Sequence, residues 1–83
     1  MYRIITEHTN VDGIKSLLRD EKMDFTLHEA TGSWQGVEER SLVIELDALW
    51  DDSEVTRVAK KIRSLNNQEA VLIQNIPTEG VFV

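Results

Sequence analysis

The sequence predicts an α+β fold, a βαββαβ sandwich in which two helices cover one face of a four-stranded antiparallel or mixed sheet. Three observations predict it. At 83 residues the chain has room for a single domain spanning 1–83. Hydrophobic residues make up 41% and charged residues 29%, which suits a packed soluble domain and excludes collagen-like or disordered chains. Segments of apolar period near 3.6 alternate with segments of period two in the order strand, helix, strand, strand, helix, strand.

Tyr2 to Thr9 is short and β-branched, and adjacent Ile4 and Ile5 suggest a central strand buried on both faces. Asn10 can accept hydrogen bonds from the free amides of a following helix, Asp12 suits its positive end, and Ile14, Leu17 and Leu18 share a face. Helix one is therefore expected from about Val11 to Lys22, locally weakened by Gly13. From Asp24 the period becomes two: Phe25, Leu27 and Glu29 point one way, Thr26, His28 and Ala30 the other. This strand continues toward Trp34. Glycines flank the aromatic in Thr31-Gly-Ser-Trp-Gln-Gly36, a pattern for a turn or a bulged hairpin arm. Arg40, Leu42, Ile44 and Leu46 then alternate with Ser41, Val43, Glu45 and Asp47, forming strand three, antiparallel to strand two.

Asp51 followed by Glu54 fits a helix N-terminus with reciprocal capping. Val55, Val58, Ala59, Ile62 and Leu65 make the buried stripe of helix two, with Trp50 as a staple beside its start. Asn66 and Asn67 can end it with a left-handed residue. Ala70 to Ile76 reads as strand four, closed by Pro77, and Gly80 to Val83 is expected to add a short strand or to pack on a neighbouring subunit. This order points to the split βαβ, ferredoxin-like sandwich, its parallel pairings joined by right-handed crossovers. One sheet face is left open, carrying Thr26, His28, Val43 and Glu45, a mixture suited to an oligomer seam or a ligand shelf.

The chain has no cysteine, which removes disulfides, thiolate metal sites and a cysteine nucleophile. Stability must come from packing, and at this length self-association is a common supplement, so a homo-oligomer is expected. The net charge of −6 opposes direct binding to nucleic acid or anionic lipid. Residues 21–50 hold Glu21, Asp24, Glu29, Glu38, Glu39, Glu45 and Asp47 against Lys22 and Arg40. That acidic third serves solubility or offers a face to a basic partner. No apolar run extends beyond Ala70 to Ile73, far below the roughly 20 residues that cross a bilayer. The opening Met-Tyr-Arg-Ile-Ile-Thr-Glu lacks the apolar core of a signal peptide, and a cytoplasmic location is expected by default.

Loops of the nucleotide-binding and nucleophile-elbow kinds are absent, and the two histidines lack metal-ligand spacing. No cofactor or metal is therefore expected. Neighbours on a strand face opposite sides, so His28 cannot act with Glu29, whereas Glu45 can face His28 across the hairpin. A structural or interface hydrogen bond is the plainer use of that pair; acid-base catalysis is the distant one. Trp34, Gln35 and Glu38, beside two glycines at a strand end, either cap the core or line a ligand or protein contact.

The run Gly32-Ser-Trp-Gln-Gly-Val-Glu-Glu-Arg-Ser-Leu-Val-Ile-Glu-Leu46, with Asn67-Gln-Glu-Ala-Val-Leu-Ile73, resembles a group of small uncharacterised bacterial and phage proteins sharing Gly-x-Trp-x-Gly-x-x-Glu-x-Ser. The resemblance covers most of the chain and implies no established activity. In fold alone the arrangement is similar to the PII and CutA type, whose trimers bind ligands or metals between subunits; their diagnostic loops are not visible here. Together these features favour a non-enzymatic regulatory or binding domain. It self-associates through the open sheet face or a strand edge and meets a small ligand or partner near Trp34. The alternative is a small acidic inhibitor, phage-encoded, that occupies the basic groove of a host nucleic-acid-handling or defence protein. A small enzyme using His28 and Glu45, with Glu7 as a further acid-base group, is the third.

Overall fold

The computed structural model describes residues 1–46, 50–77 and 81. Its elements are β1 (Tyr2–Glu7), α1 (Val11–Asp20), β2 (Phe25–Trp34), β3 (Val37–Leu46), α2 (Asp52–Leu65) and β4 (Leu72–Asn75). They form an α+β structure whose four strands stand in the order β2-β3-β1-β4. Every neighbouring pair is antiparallel. The parallel pairings expected from the sequence are therefore corrected: each helix links two strands that are not neighbours, with β3 lying between β1 and β2, and β1 between β3 and β4. The expected strand from Gly80 to Val83 lies, apart from Val81, outside the described residues, as does Asp47.

Register assigns each residue its face. Ile4 pairs with Ile44 and with Ile73, and Ile44 with Leu27, so these share one side. Both helices bury their stripes there: Ile14 and Leu18 of α1 and Val55, Val58, Ala59 and Ile62 of α2 form one cluster with Ile4, Leu42, Ile44 and Leu46. Ile5 and Val43 pair on the other side and stand outside that cluster. Ile5 is only half-buried, so β1 is central in the sheet yet fully covered on one face alone. No helix among the described residues is long and apolar enough to cross a membrane.

Helix ends show what local sequence controls. Asp51 accepts from the Glu54 amide at 2.8 Å and from the Ser53 hydroxyl at 2.8 Å, so Asp51 caps α2 as expected, while the return bond from the Glu54 side chain that reciprocal capping calls for is not among the described contacts. Replacing Asp51 with Ala is expected to lower the thermal midpoint, and Asp51→Ser to restore most of it; equal midpoints for the two would remove the cap from the account. Trp50 packs against the core cluster beside this start. Leu65 is 47% exposed rather than buried. Ten positions after Val55, it has drifted to the margin of the stripe.

Asn10 departs from its expected role. It adopts a left-handed conformation (φ 52°) and makes no side-chain cap bond. Its amide instead donates to Asn66 Oδ1 at 3.0 Å, tying the start of α1 to the end of α2. Gly13 makes room for this, because a Cβ there would stand 2.4 Å from Asn10 Nδ2. Asn67, also left-handed (φ 52°), ends α2 as the sequence suggested.

Candidate functional site

The β2–β3 hairpin dominates the functional geometry. Its register is continuous from Phe25 opposite Leu46 to Trp34 opposite Val37, with no bulge. Gln35 and Gly36 form a two-residue loop, both with positive φ (50° and 80°), the geometry whose twist matches the flanking strands. The expected bend at Thr31 to Gly36 is thus confined to that tight turn, and Gly32 lies in a regular strand opposite Glu39. Because β1 ends at Glu7 opposite Ser41, the hairpin beyond that row projects as a two-stranded arm. Thr31 to Ser33 and Gln35 to Arg40 are exposed there.

The sequence-derived site residues fall in two places. His28 and Glu45 occupy the open face as expected: His28 Nε2 is 3.0 Å from Glu45 Oε1, and Arg3 Nη2 stands 3.7 Å from Glu45 Oε2. The diagonal placement follows from register, since His28 pairs with Val43 and Glu45 with Thr26. Gln35 and Glu38 sit at the arm tip, where the Trp34 backbone pairs with Val37. Six strand positions, roughly 20 Å, separate this tip from His28. Glu38 also pairs with Ser33 on the opposite face from Glu45. The two groups do not converge, because strand spacing and alternation keep them apart.

Sequence reasoning missed the second histidine cluster. His8 Nε2 lies 2.7 Å from Glu29 Oε1, and Arg40 Nη2 donates to Glu29 Oε2 at 2.9 Å. The signal was present: Glu29 and Arg40 fall on one face of the hairpin, and His8 continues the helix-side alternation of Ile4 and Thr6 just past β1. The same motif appears on both faces, a carboxylate held between an imidazole and a guanidinium. The open face carries a further feature that the sequence did not show. A cleft of about 470 Å³ lies where the arm leaves the sheet, lined by Ile5, Glu7, Gly32, Glu39, Ser41 and Leu72, among others. Glu39, not Glu38, belongs to this face. A broader depression runs outside α2 past Leu17, Arg57, Lys60 and Leu65 and shares no residue with either site.

Among the described residues, three carboxyls are held below their ordinary range. Glu21 is lowered by hydrogen bonds from Lys61 and then Arg57, which join α1's end to α2. Glu29 is lowered by His8 and then Arg40. Asp51 is lowered by the Glu54 amide and then by the Ser53 hydroxyl. A folded value below the unfolded one adds stability above the unfolded value and loses it as pH falls through the folded one. Urea midpoints are therefore expected to hold steady at neutral pH and to fall progressively below the ordinary Glu value of 4.5. Glu21→Gln should flatten that fall; a wild-type midpoint that rises on acidification would contradict the assignment.

Chemically, the open face offers an imidazole oriented by a carboxylate beside an apolar row, and none of the described clefts includes His28. In comparisons with known proteins the chain matches no family model, and no curated protein is significantly similar to it.

Proposed function

We propose that the protein is a non-enzymatic regulatory or binding domain of ferredoxin-like architecture. In this reading it self-associates through the open sheet face and presents the hairpin arm, with Trp34, Gln35 and Glu38, to a small ligand or protein partner. The observation that carries it is the row Leu72, Ile5, Val43, which crosses three strands on the face away from the helices. Leu72 is 53% exposed and Ile5 half-buried, while Val43 at the inner end of the row is 7% exposed, so the row opens to solvent on its β4 side. The adjacent row runs Gln74, Arg3, Glu45, Thr26, with charges of both signs. An apolar centre flanked by mixed charge is self-complementary, as a two-fold contact between identical surfaces requires.

Acid-base chemistry by His28 and Glu45 is less favoured, since the His28 side chain is 50% exposed and lines none of the described clefts, although Glu45 borders a shallow one beside Thr26. The acidic-inhibitor reading also loses support. Glu21, Glu29 and Glu45 of the acidic third are each engaged by cationic groups of the same chain, which lowers the charge left for a basic groove.

Light scattering over a dilution series tests the proposal, with Leu72→Asp chosen because its exposure spares the core. The wild type is expected to change mass with concentration, and Leu72→Asp to weaken association at least tenfold while keeping the native circular dichroism. A wild type monomeric at every concentration would sink the self-association, and an unaffected Leu72→Asp would remove this face from it.

A further inference from the structure

We propose that the outer edge of β2 pairs with β2 of a second copy, antiparallel and centred on Ala30, as a contact separate from the open-face association. β2 is the terminal strand of the sheet order, ten residues long and unbulged. Its sequence, Phe-Thr-Leu-His-Glu-Ala-Thr-Gly-Ser-Trp, has no proline, lysine or bulge, and its one charged residue, Glu29, is engaged by His8 and Arg40 of the same chain, so little on it discourages edge pairing. The opposite edge, β4, is only four residues long.

Register within the pairing follows from the hairpin. A two-residue loop closes on a hydrogen-bonded pair, here Trp34 with Val37, and such pairs alternate along the ladder. The even-numbered residues of β2 therefore spend their backbone groups on β3. Leu27, Glu29, Thr31 and Ser33 direct theirs outward to the free edge. A two-fold axis perpendicular to the sheet keeps each face on its own side, so even residues meet even ones. Centring on His28 or Ala30, or on Glu29 or Thr31, satisfies that rule. Glu29 at the centre sets two carboxylates against each other, which destabilises a strand pair. His28 or Thr31 at the centre leaves a shorter overlap of the strand than Ala30 does.

Ala30 at the centre pairs Thr26 to Trp34 of one copy with Trp34 to Thr26 of the other, and Glu29 meets Thr31 of the second copy. It also accounts for Gly32. That glycine needs no special backbone conformation, and a Cβ added to it would meet nothing within 4 Å. In this register His28 of the second copy lies opposite Gly32 on the open face, and an aromatic ring over an edge glycine fills such a gap. The paired edges would continue one sheet through both copies, with all four helices on one side.

The absence of cysteine makes a direct test available. Opposite residues in a non-hydrogen-bonded antiparallel pair have Cα atoms about 4.5 Å apart, within the range that a disulfide bridges. Under mild oxidation Ala30→Cys is expected to give a covalent dimer. His28→Cys and Gly32→Cys, each alone, should give at least tenfold less, whereas their mixture should cross-link. Crosslinking by Ala30→Cys should persist when combined with Leu72→Asp, which separates this contact from the open-face reading. Ala30→Cys no more reactive than the single His28→Cys and Gly32→Cys variants, or its loss with Leu72→Asp, would overturn the inference.

Discussion

Ile44→Ala is expected to destabilise the protein by about 2–5 kcal/mol, while Val43→Ala, one residue earlier, costs about 1 kcal/mol. Ile44 is fully buried where β3, both helices and β1 meet, so shortening it removes contacts on every side and leaves a void that rigid neighbours cannot fill. Val43 faces the other way, outside the helix-side cluster; although only 7% exposed, it has neither helix over it and loses a smaller side chain. For a small domain with a total stability of about 5–15 kcal/mol, the Ile44 variant loses a large share, lowering the thermal midpoint on the order of 10–30 °C. Denaturant titration of both variants checks this. Equal losses would mean that the two faces of the sheet are covered alike.

The second large effect is expected at the arm tip. Gly36→Val should cost roughly 1–2 kcal/mol, because φ of 80° drives a branched Cβ into its own carbonyl. Gln35→Asn should act oppositely. Gln35 holds φ of 50°, a conformation that Asn tolerates better, and a gain of up to about 1 kcal/mol is expected. Thermal melts of the two variants should shift in opposite directions. A stability gain in Gln35→Asn would mark Gln35 as a residue suboptimal for its turn. That is the signature expected where a side chain serves binding at the cost of local strain. If Gln35→Asn destabilises instead, the turn itself accounts for glutamine.

Much of this was legible one residue at a time. The alternation from Phe25 to Ala30 and from Arg40 to Leu46 assigns both faces of the hairpin without reference to anything distant, and the pairing of His28 with Glu45 follows from it. Asp51 and Asn67 act on backbone groups a few residues away, so their roles could also be read directly. Asn10 could not. Its residue type suits a cap, but the competing partner, Asn66, is 56 positions off and is brought near only when the helices pack.

The pairing of His8 with Glu29 and Arg40 escaped for the same reason. So did the separation of the Gln35 and Glu38 tip from His28 and Glu45, which depends on where the turn falls and how far the arm projects past β1. Side-chain alternation and helix periodicity are properties of neighbouring residues, and the sequence by itself determined them: the order of the elements, the buried stripe of each helix apart from Leu65, and the composition of the sheet's open face. Strand order, the antiparallel sense of the pairings made by β1 and the meeting of His8 with Glu29 were decided by the tertiary structure alone. Each depends on which distant surfaces bury together, and local preferences do not distinguish among those arrangements.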